Sequence, residues 1–361
     1  MTTATEVKTE LTATTGSVRT ALAGVSGYAG GELARLLLKH PRLQETRPIF
    51  IGREATTLSE LQPHLYTIDE QELPVVPYPT WSDLKAAGVE IIFLATPHEQ
   101  SREWVPQILN AGLRVVDLSG AWRLKAASNR AVYKLHDADA ELAAKLDAEA
   151  VFGCPELHHD AIRNARLVAN PGCYATSIIL ALRPLVAAGM VDIEHGIVCD
   201  AKSGVSGAGK APTAKTHFMH AADNLSAYAV FGHRHTGEVL EQVGLPAEAL
   251  QFTPHLLPIP RGILSTIYLR LKSRMEKAAV EQVFREFYAG HPLVRVFKAG
   301  SLPQIQYIVR TNYCDLGFEL AADGRRMVLV SCLDNLLKGA AGQAVENMNV
   351  MCGWKEEEGL L

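Results

Sequence analysis

The sequence predicts an α/β protein of two domains, the first of them doubly wound about a mostly parallel sheet. Three observations predict it. Short apolar runs alternate with helix-like stretches through the first half. A glycine-rich turn, Gly24-Val25-Ser26-Gly27-Tyr28-Ala29-Gly30-Gly31, stands between the first strand and the first helix. The chain has 361 residues, 48% of them hydrophobic, which exceeds one ordinary core and suffices for two.

In chain order, residues 1–17 are rich in threonine and alanine, without a basic start or a continuous apolar run. They read as a loose tail, neither signal peptide nor membrane span. Residues 18–25 read as a strand and 32–40 as a helix with Leu33, Leu36 and Leu37 on one face. Strand, glycine turn and helix is a phosphate-binding order. Gly24, Gly27 and Gly30 fall three apart, where glycine allows a tight turn, close approach of backbone to a pyrophosphate, and close packing of helix on strand. Ser26, Tyr28 and Ala29 belong to the same turn. Residues 49–51, 91–94 and 115–118 read as further strands, with a helix at 99–109 before the last. This is the pattern of a Rossmann-type domain, whose ligand crevice lies at the carboxyl ends of the strands. Those ends carry Gly52-Arg53, Thr96-Pro97-His98 and Ser119-Gly120. Arg53, where an acidic residue would favour a free ribose hydroxyl, suits a 2′-phosphate and so NADP over NAD; the competing reading pairs Arg53 with Glu54.

The apolar residues 167–169 end a strand, Pro171 and Gly172 force a turn, and 175–185 read as a helix. Cys173 therefore falls at or near a helix N-terminus. The free N–H groups there favour a thiolate, the attacking species in acyl chemistry, and are expected to make this thiol ionise more easily. The alternative is a small buried hydrophobe.

Beyond it, 196–201 read as a strand and 202–235 as a long polar segment with little helical periodicity, holding Lys215, His217, His220, Tyr228 and the run His233-Arg234-His235. Long loops in compact domains often carry function. His217 and His220, or His233 and His235, could in principle ligate a metal, but no cysteine or carboxylate cluster accompanies them, and no metal is expected. Residues 251–257 and 263–271 read as strands, 277–288 as a helix, 294–297 as a strand, and 312–320 with 327–332 as a hairpin across Asp323-Gly324. The small residues of 334–343 precede a helix running to 351, which would return to pack on the first domain.

Thirty-five lysines and arginines against 39 aspartates and glutamates give a net charge of −4, which offers no surface for nucleic acid or an anionic membrane and points to a small-molecule partner. Six cysteines without paired spacing suit a reducing cytoplasm.

With these residues assembled, the chain resembles the N-acetyl-gamma-glutamyl-phosphate reductase family, within the semialdehyde dehydrogenases. The marks are residues 24–33, Asp117-Leu118-Ser119 with Arg123, Pro155-Glu156-Leu157, 170–176, 203–210, His233-Arg234-His235, 258–262 and 334–349. The resemblance implies an NADP-binding Rossmann domain at 18–170, completed by the segment 335–361, and a substrate and dimerisation domain at 171–334. It implies a homo-oligomer, dimer or tetramer, in the arginine pathway. It also implies a mechanism. Cys173 attacks the acyl phosphate and expels phosphate, hydride from NADPH reduces the thioester, and the thiohemiacetal collapses to N-acetylglutamate semialdehyde. His233 would take the thiol proton and later return one to the departing sulfur. Ser203, Gly204, Lys210, Arg123, Arg234 and His235 would hold the anionic substrate, with Arg261 either beside them or structural. Gly24, Ser26, Gly27, Tyr28, Ala29, Gly30, Arg53, Thr96, Pro97, Ser119 and Asn335 would hold NADP(H). Two departures stand out: Gly120-Ala121-Trp122 replaces the usual Ala-Asp-Phe before Arg123, and Phe152-Gly153-Cys154 the usual Tyr-Gly-Leu. The alternatives are a sister enzyme acting on aspartyl phosphate or on a lysine-pathway acyl phosphate, and a non-catalytic NADP sensor.

Overall fold

A computed structural model describes residues 18–66 and 72–361; the expected tail, 1–17, lies outside them. These residues build two sheets. The first has eight strands, in the order Thr56–Thr57, Pro74–Pro77, Ile49–Gly52, Arg19–Ala23, Val89–Leu94, Arg114–Asp117, Leu167–Ala169 and Val151–Phe152. Every neighbouring pair is parallel except the first. Both faces are covered, so its central strands read as unbroken apolar runs: Ala21, Leu22, Ala23, Ile91, Ile92, Phe93 and Leu94 are wholly buried. The winding reverses at Arg19–Ala23, where Ala21 lies beside Ile49 on one side and Ile92 on the other. The switch point opens a crevice at the carboxyl ends of Arg19–Ala23 and Val89–Leu94, which positions the nucleotide turn.

The second sheet is mixed, with seven strands in the order Ser226–Ala227, Leu250–Leu257, Ile197–Gly204, Ile263–Arg270, Arg326–Leu333, Cys314–Leu320 and Val294–Val296. Here burial alternates. Ile197, Cys199 and Ala201 point inward, onto the helices Cys173–Ala187 and Lys277–Phe287, whereas Val198 and Tyr268 stand on an open face. The predicted hairpin turns at Asp323, whose carboxylate accepts the N–H groups of Arg325 and Arg326.

The chain then crosses back. A π-type turn, Leu337–Ala341, leads into the helix Gly342–Met351, and Leu337, Ala344, Val345 and Met348 share a core with Leu22, Leu33, Phe50 and Val168 of the first sheet. Polar contacts fix the crossing. Arg261 bonds Asp334 and reaches Glu32 of the nucleotide helix at 2.7 Å, so it is a strut between the two sheets. Lys338, wholly buried, contacts Glu156 at 2.6 Å and Glu346 at 2.5 Å. Glu156 stays below its ordinary range beside Lys338, while burial pushes Glu346 well above it. Such a cluster stabilises little on balance, but removing one member leaves a buried charge unmatched.

Where the structure departs from the sequence reading, it is chiefly at helix starts and in polar stretches. The first helix runs Tyr28–Lys39, four residues earlier than expected, because Gly30 and Gly31, read as part of the turn, are already helical. The helix Ala140–Glu149, capped by Asp139 at 2.9 Å, and the helix Pro155–Asn164 have too few large apolar residues to announce themselves. The segment 202–235 is not without order: it contains the single-turn helix Phe218–Ala221 and a short strand paired to His255 and Leu256.

Candidate active site

Leu167–Ala169 delivers the chain into Asn170-Pro171-Gly172, and Cys173 is the first residue of the 15-residue helix Cys173–Ala187. Gly172 caps that helix without a side chain. A Cβ there would run into the His235 imidazole, and one on Gly339 would come within 2.7 Å of the Cys173 Cβ, so both positions need glycine. The Gly172 N–H donates to Glu238, wholly buried, at 2.9 Å, which fixes where the helix begins.

The helix N-terminus was expected to ease ionisation of the Cys173 thiol; the structure reverses the sign. Burial pushes the thiol up to about 11, outweighing the Tyr174 N–H and the charges of Arg234 and Arg123, which pull it down. Without ligand, Cys173 is a protonated thiol at neutral pH.

His233 sits among Tyr174, Tyr228, Phe252 and His235, with ring centroids 5.5, 5.6, 5.3 and 4.7 Å away. Burial, then Arg234, lowers it to about 4, so its ring is neutral. Its Nδ1 accepts the His235 N–H at 3.1 Å. A backbone N–H can only donate, hence the ring proton lies on Nε2. In this state the His233 Nε2 donates, and the acid/base role expected of it requires Nδ1 to give up the His235 N–H. His235, buried and held well below the ordinary range by burial, leaves its Nδ1 without a partner.

Three cavities run on from one another. One of about 570 Å³ is lined by Gly24, Ser26, Gly27, Arg53, Thr96 and Pro97. The next, about 280 Å³, shares Gly27 and extends past Tyr28, Ala29 and Gly30 to Cys173. The last, about 340 Å³, shares Cys173, Arg234 and His235 with it and adds Ser203, Gly204 and His233. Cys173 thus stands at the junction of a nucleotide-shaped trough and a substrate-sized pocket. Gly24 turns the chain at φ 89°, and the first helix points its free N–H groups into the trough. These features fit a dinucleotide. Arg53 has no ion pair among the described residues, and the competing pairing with Glu54 is not formed.

Four expected site residues stand elsewhere or are otherwise engaged. Arg123 spends its guanidinium on Asn170 O at 2.7 Å, Leu118 O at 2.7 Å and Glu238 at 3.0 Å, leaving it a buried strut beside the middle cavity. Ser119 is turned inward onto Asp117 at 2.7 Å and lines none of the three cavities. Lys210 reaches the nucleotide turn, donating to Ser26 O at 3.1 Å, so it lies on the cofactor side of Cys173. Asn335 borders the middle cavity with both ends of its amide engaged, by the Gly262 N–H and the Ser206 hydroxyl. His98, Glu238, Lys215 and Tyr228, all at or beside the pocket, have no role that the sequence alone discloses. Lys215 and Tyr228 at least lay in the long polar loop; Glu238 sits in an ordinary amphipathic helix and gave no signal.

Comparisons with known proteins agree with this architecture. Residues 19–165 match the family model "Semialdehyde dehydrogenase, NAD binding domain", and 173–335 match "Semialdehyde dehydrogenase, dimerisation domain". The chain is 40% identical over 358 residues to an N-acetyl-gamma-glutamyl-phosphate reductase of Desulfotalea psychrophila, covering 95% of this chain and 98% of that one. It is 41% identical over 353 residues to one of Symbiobacterium thermophilum, covering 96% and 98%. Among solved structures, aspartate semialdehyde dehydrogenase II from Vibrio cholerae has the same fold, with TM-score 0.69 and 20% identity over 93% of this chain and 98% of that one. Identity at that level speaks for the fold alone. From the sheet order, the cysteine at the junction of the cavities and the full-length likeness to these reductases, the chain belongs to the N-acetyl-gamma-glutamyl-phosphate reductase family of semialdehyde dehydrogenases.

Proposed function

We propose that this chain reduces N-acetyl-L-glutamyl 5-phosphate to the 5-semialdehyde with NADPH, releasing phosphate, through a thioester on Cys173. The observation that carries the substrate is the lining of the 340 Å³ pocket, which holds Lys215 and Arg234 but no carboxylate. Aspartyl phosphate has a free ammonium, which would call for an acidic partner; an N-acetylated substrate has a neutral amide there and two anionic ends. Lys215, without an ion pair among the described residues, suits the α-carboxylate.

NADPH, when bound, supplies the hydride; Arg53, the turn at Gly24, Ser26, Gly27 and Gly30, and Lys210 would hold it. The remaining chemistry belongs to the chain. The Cys173 sulfur attacks the acyl carbon, the C–S bond forms, and the C–O bond to phosphate breaks with its electrons leaving on phosphate. The thiol proton needs an acceptor. His233 can serve only by giving up the His235 N–H and turning a lone pair to the sulfur. In the reductive half no such change is needed: as the thioester oxygen gains charge, His233 Nε2–H donates to it, beside the N–H groups that open the Cys173 helix. The hydrogen bond stabilises the oxyanion without moving the ring proton; as the C=O of the aldehyde re-forms and the C–S bond breaks, the electrons of that bond leave on sulfur, which regains the proton that His233 took from the thiol during acylation.

The same reading divides the chain at residue 170, with 335–361 completing the first unit. It makes the protein a homo-oligomer, for which the open sheet face around Val198 and Tyr268 is suited. Six unpaired thiols suit the cytoplasm. No described helix is long and apolar enough to cross a membrane.

The test is Cys173→Ala together with acyl trapping. The variant should lose turnover while still quenching NADPH fluorescence, and wild type without NADPH should retain a hydroxylamine-sensitive acyl group. Turnover by the alanine variant, or good reduction of aspartyl phosphate with none of the acetylated substrate, would overturn the reading.

A further inference from the structure

Two hydrogen-bond donors face each other beside Cys173 with nothing to accept from them. His98 borders the middle cavity together with Cys173 and Arg234. Its Nδ1 accepts the Gly120 N–H at 2.9 Å, so its neutral ring, lowered to about 4 chiefly by burial and then by Arg234, carries its proton on Nε2. That Nε2 lies 3.4 Å from Nη1 of Arg234, which is also only a donor. The ring is held in place: Tyr133 packs edge-on at 5.0 Å, and a Cβ on residue 120 would strike Tyr133, so glycine at 120 leaves room for the Tyr133 ring while its N–H fixes the His98 tautomer.

The surroundings are mostly positive, with Arg234 and Arg123 acting on His98 against the single carboxylate of Glu99 in the first turn of its helix. Glu238 is taken by Arg123 and the Gly172 N–H, while Arg234 has no carboxylate partner among the described residues. His98 also opens the 13-residue helix His98–Asn110, whose Pro97 cap provides no side-chain acceptor, so the free N–H groups of that helix add to the same field.

We propose that His98 and Arg234 form an oxyanion-binding pair that holds the phosphoryl group beside Cys173, receiving it as it leaves the acyl carbon and presenting inorganic phosphate in the reverse direction. The assignment rests on the acyl-phosphate reading above. Position selects phosphate over the other anions. The phosphoryl group is bonded to the carbon that Cys173 attacks, so it must lie beside the sulfur, whereas the α-carboxylate sits at the far end of the substrate. Chemistry agrees: a tetrahedral dianion has oxygens enough to accept from both donors at once, and its charge matches Arg234. A nicotinamide carboxamide offers one neutral oxygen.

The experiment uses the intact protein in the reverse reaction, with the semialdehyde, NADP and inorganic phosphate. His98→Asn retains an acceptor for the Gly120 N–H but withdraws the donor; His98→Gln returns a donor at about the reach of Nε2. Losing one hydrogen bond to a charged group should raise KM for phosphate about tenfold or more in the Asn variant, with partial recovery in the Gln variant and KM for NADP changed less than about twofold. A second readout needs no turnover: inorganic phosphate should protect Cys173 from iodoacetamide, and His98→Asn should raise the half-protecting concentration by about the same factor. Unchanged phosphate KM and protection overturn the pair, as does a rise confined to KM for NADP, which would assign the donors to the cofactor. Phosphate-independent oxidation by wild type would instead sink the acyl-phosphate reading, and the proposal with it.

Discussion

Replacing Glu238 by leucine is the sharpest test of how this site is held together. Glu238 is wholly buried and accepts from Arg123 Nη1 at 3.0 Å and from the Gly172 N–H at 2.9 Å; Arg123 is itself only 6% exposed. The substitution leaves a guanidinium inside the protein without its counter-charge, at a cost of about 3–5 kcal/mol. It also strands the Gly172 N–H, worth about 1–3 kcal/mol. A second substitution separates the two effects. In Arg123→Met with Glu238→Leu the buried charge is gone, so the pair should cost clearly less than the sum of the single changes and less than Glu238→Leu alone, the residue being the orphaned N–H and the carbonyls of Asn170 and Leu118. Urea unfolding at fixed protein concentration, followed by the intrinsic fluorescence of the four tryptophans, one of them Trp122 next to Arg123, provides the free energies. A loss below about 1 kcal/mol for Glu238→Leu, or strict additivity in the double variant, refutes the view that this pair pins the start of the cysteine helix.

Three further outcomes follow from the geometry. Arg53→Ala should raise KM for NADPH about tenfold or more, the scale of a lost charged hydrogen bond, and leave that for NADH nearly unchanged, as read from initial rates with both cofactors. With its thiol pushed up to about 11, Cys173 in the ligand-free protein should react with iodoacetamide slowly at pH 7 and about tenfold faster per pH unit through pH 9; a plateau near neutrality would mean a ready-made thiolate. Finally, His98 and His233 are lowered to about 4 and His235 well below its ordinary value. As pH falls from about 6.5 the unfolded chain takes up protons that the folded one refuses, so stability present above 6.5 drains away toward pH 4. Melting temperatures across that interval should fall less steeply for His235→Phe, whose parent Nδ1 has no partner to lose. Parallel curves would contradict the assignment.

What the sequence revealed follows from how local each cause is. Pro171 and Gly172 interrupt an apolar run, and the cysteine after them had to begin a helix; Gly24, Gly27 and Gly30 carry a turn within seven residues. The mostly parallel, doubly wound character of the first sheet followed from the same local alternation, but its edge strands Thr56–Thr57, Pro74–Pro77 and Val151–Phe152 did not. The direction of the Cys173 ionisation did not, because it depends on how much protein closes over the sulfur. Nor did the His233 tautomer, which is decided by one backbone N–H two residues on, or the exhaustion of Arg123 by carbonyls and a carboxylate 115 residues away. An arginine beside a family motif looks like an anion anchor until its donors are counted. His98 was passed over for the opposite reason: its partners, at 120 and 234, come together only in the fold.

The returning segment has a consequence for how the molecule is made. Leu337, Val345, Met348, Trp354 and Leu360 fill the core under the nucleotide helix, Asn349 bonds the buried His40 at 3.0 Å, and Arg114 reaches the Met351 carbonyl. The residues of the returning segment, 337–360, leave the ribosome after Cys173 and the whole second sheet. The unit that is translated first is therefore the last to close, and vectorial synthesis cannot finish it early. A growing chain already carries its nucleophile but lacks a settled cradle for the reductant, so the thiol waits, protonated and without a hydride donor, until the distal helix docks. The core under the nucleotide helix thus closes only once this segment docks, and a chain ending short of residue 337 would lack the side chains that cover Leu33, Leu37 and Phe50.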